Sequence, residues 1–240
     1  MGMPITIEIT AGGTNAVIDH VFDYFRKVDK RFSTYKPNSE ISKINQGLTE
    51  SEWSQEMKFV MSLCDKTKLE TDGYFDVYHS GKLDPSGLVK GWAIDNAAKL
   101  LQAKGIKNFY VEAGGDIQVD GTDAANNPWA IGIRNPFNIN EIIKVVHLKD
   151  QGMATSGTYI RGQHIYNPHR ENQDITDVMS LTVIAANVYE ADRFATAAFA
   201  MGKKGIAFIE SRPDLEGYMV DDQKMATFTS GFERYVLKHA

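Results

Sequence analysis

The spacing of hydrophobic residues changes along the chain, from mainly helical in the first part to mainly strand-like in the second. A short alternation of isoleucines over residues 5–9 predicts a strand at the start. Apolar residues three and four positions apart then predict helices over residues 15–31, 53–69 and 91–104, and a short helix after Pro37. The first part of the chain is therefore expected to be mostly helical.

In the second part, turn residues separate short apolar runs that are typical of strands. The predicted strands are residues 108–113, 117–119, 129–133, 142–148, 153–156, 164–166 and 181–185. Helices over residues 190–201 and 203–210 precede a closing hairpin of residues 218–220 with 225–228. Because helices and strands do not alternate regularly, we predict an α+β fold with mixed or antiparallel sheets and flanking helices. The length suits a single domain over residues 1–240, or two closely packed subdomains.

Composition and charge exclude several classes of partner. The chain carries 26 Lys and Arg against 31 Asp and Glu, a formal net charge of -5, without a basic stripe, so nucleic acid is not an expected partner. No apolar run approaches the roughly 18 residues of a membrane span. No signal peptide or lipobox is visible, so we expect a cytoplasmic protein, or an extracytoplasmic one if a leader has been removed. The single cysteine, Cys64, excludes an internal disulfide framework, and its helical spacing from Val60 and Met61 predicts a buried core thiol.

Residues 83–95 combine turn residues, glycines and a lysine at the start of a predicted helix. Asp84 opens the turn. Gly87 and Gly91 would let a ligand approach the backbone, and Lys90 would add a cation where a helix N-terminus already attracts anions. The pattern is typical of a phosphate site, although the same residue types also form ordinary helix caps.

Two further groups of residues are suited to bind a ligand. Gly114 and Gly115 precede Asp116 at a strand end, where they would allow close approach of a ligand or form a tight turn between strands. Asp192 and Thr196 are four residues apart, which places a carboxylate and a hydroxyl on one helical face. Two hard oxygen ligands suit magnesium, and a simple helix start is the alternative.

Two hydroxyls and an imidazole are expected close together on one hairpin that turns back through residues 157–162. Thr155, Ser156 and His164 could contact a phosphate or assist proton transfer. A Ser–His nucleophile pair is the alternative. It is disfavoured because the G-x-S-x-G elbow is absent and no third residue is placed to orient the histidine.

Six motifs follow one another along the chain. They are Phe-Ser-Thr-Tyr-Lys-Pro-Asn-Ser-Glu-Ile-Ser-Lys-Ile-Asn from Phe32, Gly-Tyr-Phe-Asp-Val from Gly73, the run from Asp84 to Asp95, Ala-Gly-Gly-Asp from Ala113, Ala-Thr-Ser-Gly from Ala154 with His-Ile-Tyr-Asn-Pro from His164, and Ala-Asp-Arg-Phe-Ala-Thr-Ala from Ala191. Each motif alone is unspecific, whereas their joint order and spacing are specific. Together they resemble the ApbE-like FAD:protein FMN transferases.

The resemblance implies a magnesium-dependent enzyme that binds FAD, breaks its pyrophosphate and moves FMN onto a threonine or serine of a target flavoprotein, with loss of AMP. Some members of the family instead hydrolyse FAD to FMN and AMP. It also implies an ApbE-like, T-fold-related architecture. The expected partners are FAD and an acceptor flavoprotein with a Thr or Ser flavinylation site, and a homodimer is left open. The chemistry fits a site with magnesium and a lysine, because phosphoryl-type transfer needs mainly positioning and charge neutralisation.

The resemblance further implies roles for individual residues. The metal site would use the carbonyl of Gly87 with Asp192 and Thr196. The implied flavin contacts are Met1 or Met3, Tyr35, Tyr74, Phe75, Asp76, Asp84, Lys90 and Ile165. The residue patterns above add Gly114, Gly115, Thr155 and Ser156 to this cofactor-binding set. The candidate bases for the acceptor hydroxyl are Asp76, Asp116 and His164, which the sequence does not rank.

The chain also departs from the family pattern. Only residues 77–83 separate Asp76 from Asp84, where family members commonly carry a longer insertion, so we expect a compact member with a more open flavin pocket. Two other classes are alternatives. A protein that binds or stores FAD without transfer would not need Asp192 and Thr196, and a structural interaction domain would leave the six motifs unexplained.

Overall fold

The computed structural model describes residues 2–158, 165–170 and 173–236, so the predictions for Met1 and His164 lie outside the described residues. The helices in this part of the chain are α1 (Asn15–Phe32), α2 (Glu40–Ile44), α3 (Gln55–Glu70), α4 (Ser86–Ala103), α5 (Val188–Ala200) and α6 (Gly205–Glu210). The strands are β1 (Ile5–Ile9), β2 (Tyr78–His79), β3 (Lys82–Leu83), β4 (Phe109–Ala113), β5 (Asp116–Asp120), β6 (Trp129–Asn135), β7 (Asn138–Leu148), β8 (Gln151–Gly157), β9 (Val178–Ala185), β10 (Glu216–Asp221) and β11 (Ala226–Phe228). Short 3-10 helices lie at Glu50–Glu52, Gly202–Lys204 and Phe232–Tyr235.

Seven strands form one antiparallel sheet in the order β1, β4, β5, β8, β9, β10 and β11. β2 pairs with β3, and β6 pairs with β7, in two separate hairpins. The α+β class with antiparallel sheets and flanking helices is thereby confirmed.

The first long helix forms as its hydrophobic pattern predicts. Val21, Phe25, Val28 and Phe32 recur at helical spacing on α1, and all four are buried. The side chain of Thr14 caps the helix by accepting a hydrogen bond from a backbone amide of the first turn. This amphipathic helix covers α4, which is itself buried along most of its length.

The two helices that carry the candidate site pack directly against each other. α5 contacts α4 on one side and strands β8 and β9 of the sheet on the other. α5 is rich in alanine, and the five alanines at 191, 195, 197, 198 and 200 are all buried. Small side chains let the helix lie close to its neighbours, so the polar residues of α5 are held between α4 and the sheet.

The start of α4 differs from the prediction. The helix begins at Ser86, five residues before the predicted start at Gly91, so Gly87 and Gly91 lie within the helix and not in a phosphate-binding loop. Two local features explain the earlier start. The carboxylate of Asp84 accepts a hydrogen bond from the backbone amide of Ser86, and Leu88 is completely buried, which orders the first turn.

The predicted hairpin that would join Thr155 and Ser156 to the segment near His164 is wrong for the described residues. β8 pairs with β9, and neither Ile165 nor Tyr166 lies in a strand. β2 and β3, in contrast, were not predicted, because strands of two residues are too short to show a hydrophobic period.

The structure also bears on two predictions, the burial of Cys64 and the absence of a membrane span. Cys64 is 1% exposed within the hydrophobic core, as predicted, and burial, with a smaller contribution from Asp65, raises the pKa of its thiol to about 12. Among the described residues, no helix combines the length and the apolar character that crossing a bilayer requires.

Candidate functional site

α4 and α5 lie in tight contact at Gly91 and Asp192. The backbone amide of Gly91 donates a hydrogen bond of 2.7 Å to Oδ2 of Asp192. A Cβ atom at position 91 would lie 2.5 Å from Cβ of Asp192 and 2.7 Å from the carbonyl oxygen of Val188. Glycine is therefore needed at this position so that α5 can bring its carboxylate against α4.

One turn further along α5, Thr196 meets the first turn of α4. The hydroxyl of Thr196 donates a hydrogen bond of 3.1 Å to the carbonyl oxygen of Gly87. Asp192 and Thr196 face the same way because they are four residues apart on one helix. The structure thus brings together Gly87, Asp192 and Thr196, the three residues of the predicted metal site.

A lysine and a second carboxylate complete this group. Nζ of Lys90 lies 2.7 Å from Oδ2 of Asp116 and 3.6 Å from Oδ1 of Asp192. Asp116 is completely buried, and its Oδ1 accepts a hydrogen bond of 3.2 Å from the backbone amide of Thr155. We call Gly87, Lys90, Asp116, Asp192 and Thr196 the charged cluster.

The charged cluster holds two buried carboxylates with one ammonium group beside them. Burial raises the pKa of Asp192 well above its usual value; the ammonium of Lys90 lowers it, and the carboxylate of Asp116 raises it further. A second carboxylate so close makes an additional positive charge favourable at this position. Carboxylate, carbonyl and hydroxyl oxygens are hard ligands, so the donor set fits Mg²⁺. Among the described residues, no three His, Cys, Asp or Glu side chains are grouped to hold a metal ion.

A cavity of about 330 Å³ opens next to the charged cluster. Its lining includes the aromatic residues Tyr74 and Phe75 on one wall. The other predicted site residues that line it are Asp76, Asp84, Gly87, Lys90, Gly114, Thr155, Ser156, Ile165, Asp192 and Thr196. The motifs that contain them are far apart in the sequence, and folding brings them to one cavity.

A second cavity of about 500 Å³ adjoins the first, and Asp84 and Lys90 line both. Tyr35 lies in this second cavity, away from Tyr74 and Phe75, and is 89% exposed. The structure therefore does not place Tyr35 in the same cavity as the other predicted aromatic contacts.

The second cavity also contains the N-terminal methionine that the structure describes. Met3 lines this cavity and packs against Gly114, where a Cβ atom would lie 2.7 Å from its Sδ. Met3 is therefore the candidate flavin contact whose position the structure describes, since Met1 lies outside the described residues. Gly115 is exposed and lines neither cavity, so its positive φ of 93° serves the turn between β4 and β5.

The candidate bases differ in their surroundings. Asp76 lies on the cavity wall, where Oδ2 accepts a hydrogen bond of 2.8 Å from Nζ of Lys68 and Oδ1 accepts one of 3.0 Å from the backbone amide of Tyr78. Asp116 is buried and paired with Lys90. His164 lies outside the described residues.

Three residues support the site without having been predicted as part of it. Asn45 bonds both the amide and the carbonyl of Leu83, at 2.8 and 3.0 Å, and so holds β3 beside the cavity. The hydroxyl of Thr182 lies 2.8 Å from that of Thr155. Tyr166 bonds two backbone carbonyls of the cavity wall. Asn45 and Tyr166 fall inside the recognised motifs, but nothing in a motif reveals a contact with a distant backbone group.

Comparison with known proteins places the chain in one family. The model of the ApbE family matches residues 1–81 and 78–219, which together make up most of the chain. The chain belongs to the ApbE family.

Solved structures share the fold. The flavin transferase ApbE from Vibrio cholerae superposes with a TM-score of 0.84 at 23% identity, covering 98% of this chain and 96% of that one. The ApbE protein from Thermotoga maritima superposes with a TM-score of 0.87 at 21% identity, covering 99% of this chain and 97% of that one. At these identities the likeness concerns the fold.

Curated relatives match over part of their length. A FAD:protein FMN transferase from Vibrio cholerae is 32% identical over 168 residues, which are 65% of this chain and 50% of that protein. One from Escherichia coli is 29% identical over 147 residues, which are 58% of this chain and 42% of that protein. The matched region thus spans about half the length of these relatives.

Proposed function

We propose that this protein is a magnesium-dependent FAD:protein FMN transferase. It binds FAD, cleaves the pyrophosphate, attaches FMN to a threonine or serine of a target flavoprotein, and releases AMP. The observation that carries the proposal is the meeting of Gly87, Asp192 and Thr196 with Lys90 at the edge of a cavity that has aromatic walls. Membership of the ApbE family and the name of its curated relatives support the same reaction.

The charged cluster would bind the pyrophosphate end of FAD. When bound, Mg²⁺ would supply Lewis-acid stabilisation of charge on the phosphate oxygens. Gly87, Asp192 and Thr196 would hold the ion, and Asp116 would orient Lys90, whose ammonium would contact the pyrophosphate. These groups are already held in place by backbone and side-chain hydrogen bonds, so little reorganisation is needed on binding.

The aromatic wall would bind the flavin ring system. Tyr74 is half-buried and packs edge-on against His169, with ring centroids 4.5 Å apart, whereas Phe75 is 3% exposed. Flat aromatic side chains offer apolar area to a planar ring. The flavin ring would then lie at the aromatic wall, and the phosphates would lie near Lys90 in the same cavity.

Asp76 is the better placed of the two described candidate bases. Its carboxylate lies on the cavity wall and its side chain is 17% exposed, whereas Asp116 is completely buried against Lys90. We therefore assign Asp76 the role of accepting the proton from the acceptor threonine or serine, and Asp116 the role of orienting Lys90.

Two alternatives use the same site. An FAD pyrophosphatase would pass the FMN group to water instead of to a protein. A non-catalytic FAD-binding protein would not need Asp192 and Thr196, and their meeting with Gly87 favours an enzyme. The acceptor would be a flavoprotein that can bring an exposed Thr or Ser to the cavity. A homodimer stays a prediction.

Incubation with FAD and Mg²⁺, with and without a candidate acceptor, tests the proposal. We expect AMP by chromatography, together with covalent flavin on the acceptor, seen as in-gel fluorescence and as a mass increase of the acceptor. AMP with free FMN in both incubations would instead identify a pyrophosphatase. Tight FAD binding without AMP, at any Mg²⁺ concentration, would contradict both enzymatic functions.

A further inference from the structure

The short hairpin of residues 78–83 forms part of the rim of the first cavity. We call it the rim hairpin. Tyr78 pairs with Leu83 and His79 with Lys82, and the two-residue loop between them has positive φ values, 50° at Ser80 and 73° at Gly81. Two such residues form the type I′ turn that suits a tight hairpin. His79, Ser80, Lys82 and Leu83 all line the cavity.

The rim hairpin cannot hold its position alone. Its two strands have two residues each and pair only with each other in the described structure. A single isolated hairpin is marginally stable at best in water. Its position on the cavity rim must therefore come from contacts with other parts of the molecule.

The buried side chain of Leu83 anchors the second strand in the core, and two side chains from distant parts of the chain add polar contacts. Asn45, at the end of α2, holds the second strand through both backbone groups of Leu83. Tyr166 holds the first strand, because its hydroxyl lies 2.8 Å from the carbonyl oxygen of Asp76 and 3.0 Å from that of Tyr78. The ring of Tyr166 also stacks on the ring of His79, with centroids 3.9 Å apart.

The hydroxyl of Tyr166 is well suited to this contact. Burial, with the nearby carboxylates of Asp76 and Asp84, raises the pKa of Tyr166 above its ordinary value. The hydroxyl therefore keeps its proton and serves as donor to the two carbonyl oxygens, which share it.

We propose that Tyr166 is a positioning residue that fixes the rim hairpin and the Asp76 backbone against the flavin cavity, and thereby sets how tightly FAD is held. This inference rests on the proposed function for its ligand, but the contact itself does not. Tyr166 acts through the backbone of residues 76–79, which carry the candidate base and one wall of the cavity.

The test compares Tyr166→Phe with wild type and with a matched control. Tyr166→Phe removes the hydroxyl and keeps the ring that stacks on His79. Tyr235→Phe is the control, because it also removes a tyrosine hydroxyl that makes a hydrogen bond, 2.8 Å from Nε2 of Gln151, but it lines neither cavity. His79→Ala is a second variant at an exposed residue, which removes the ring stacking and carries little risk to folding.

Two measurements are made on each variant. The first is hydrogen exchange of the backbone amides of residues 77–84 without any ligand. The second is steady-state kinetics of AMP release with FAD as the varied substrate. We expect Tyr166→Phe to raise the exchange rates and the KM for FAD by about fivefold each, as the loss of one hydrogen bond suggests, and to change kcat by less than about twofold. His79→Ala should also raise the exchange rates and the KM for FAD.

Wild-type exchange rates and an unchanged KM in a folded Tyr166→Phe protein would overturn the inference. Equal effects from Tyr235→Phe would do the same, because they would show a general loss of stability. If Tyr166→Phe does not fold, the exchange rates and the KM of His79→Ala are used instead. Wild-type values of both in His79→Ala would overturn the inference. If wild type neither binds nor turns over FAD, the proposed function fails, while the exchange comparison still decides whether Tyr166 positions the hairpin.

Discussion

The two sides of the first cavity are built in different ways. The charged cluster is held between two long helices and the sheet, with Asp116 and Asp192 at 0% and 2% exposure. The other side consists of a short hairpin and connecting segments. Phe75 and Leu83 enter the core there, and single side chains bond to the backbone. Helix packing thus positions the charges, whereas two buried side chains and a few hydrogen bonds position the wall that would contact the flavin ring.

This difference has a physical reason. Buried charges are costly unless their partners are fixed, so they belong on elements that cannot move apart. Hydrophobic contact with a flat ring depends mainly on the buried area, so it tolerates small shifts better than a fixed charge pair does. Substitutions of the charged groups should therefore affect turnover strongly, and substitutions at the helix contact that holds these groups should affect stability. Substitutions on the aromatic side should affect mainly the binding of FAD.

The largest effect is expected for Asp192→Ala. The substitution removes a proposed magnesium ligand and should lower metal-dependent AMP release by roughly 100-fold or more. The effect on folding should be much smaller, because burying this carboxylate is itself unfavourable, as its raised pKa indicates. AMP release and circular dichroism measure the two effects.

The control for this substitution is Asp214→Ala, which removes an exposed carboxylate that lines neither cavity. It should leave AMP release unchanged. Full activity in Asp192→Ala would show that the charged side does not hold the metal.

The next effect concerns helix packing and is expected for Gly91→Ala. A Cβ atom 2.5 Å from that of Asp192 must push α4 and α5 apart, which should cost about 2 kcal/mol of unfolding free energy. Denaturant unfolding measures the change.

Gly87→Ala, on the same helix, is the matched comparison. Its Cβ atom would lie 3.0 Å from Cγ2 of Thr196, and the higher helix propensity of alanine offsets part of the cost, so the loss should stay below about 1 kcal/mol. Equal losses for the two glycines would show that the tight contact at Gly91 does not limit the packing of α4 against α5.

A smaller effect is expected on the aromatic side for Tyr74→Leu. Loss of the ring should weaken FAD binding about fivefold, which corresponds to about 1 kcal/mol for an aromatic contact, and should leave kcat nearly unchanged. Quenching of flavin fluorescence during titration measures the dissociation constant.

Tyr35→Leu sharpens the same comparison. Tyr35 lies in the second cavity and is 89% exposed, so its replacement should change FAD binding by less than about twofold. A larger effect from Tyr35 than from Tyr74 would move the flavin ring to the second cavity.

The smallest effect concerns an ion pair behind the charged side. Arg193, next to Asp192, is buried and pairs with Glu70 at the end of α3. Burial would raise the pKa of Glu70, but the hydrogen bond and the charge of Arg193 outweigh it and hold the pKa below its ordinary value of 4.5. A lowered pKa in the folded protein stabilises it above pH 4.5, and this contribution is lost as the pH falls through the folded-state pKa.

Glu70→Gln should therefore cost about 0.5 to 1 kcal/mol at pH 7, and the difference from wild type should shrink in acid. Unfolding curves of both proteins at neutral and acidic pH test this. A difference that persists below the folded-state pKa would show that Glu70 acts through packing and not through its charge.

The sequence predicted most of the fold, and the errors were local. The amphipathic period of α1 and the strands of the second part are visible in the sequence because burial imposes a regular spacing. The early start of α4 was missed because the first turn, residues 86–90, contains a glycine and a lysine and little periodic signal. The rim hairpin was missed because each of its strands has two residues.

The sequence predicted which residues form the candidate site better than it predicted how they are arranged. The motifs named Gly87, Asp192 and Thr196, and the structure brings them together. They did not separate Tyr35 from Tyr74, because residues of neighbouring motifs can line different cavities. They also did not show that Asp116 pairs with Lys90, which is a contact between a strand and a helix.

The sequence by itself determined which elements form and which residue types are available for chemistry, because helix periods, turns and motifs are local properties of the chain. Only the tertiary structure decided which of those residues meet. Gly91 and Asp192 are 101 positions apart, and Tyr166 lies 90 positions from the carbonyl that it bonds. Such contacts depend on how helices and strands pack, and packing is set by the whole buried core and not by any one segment.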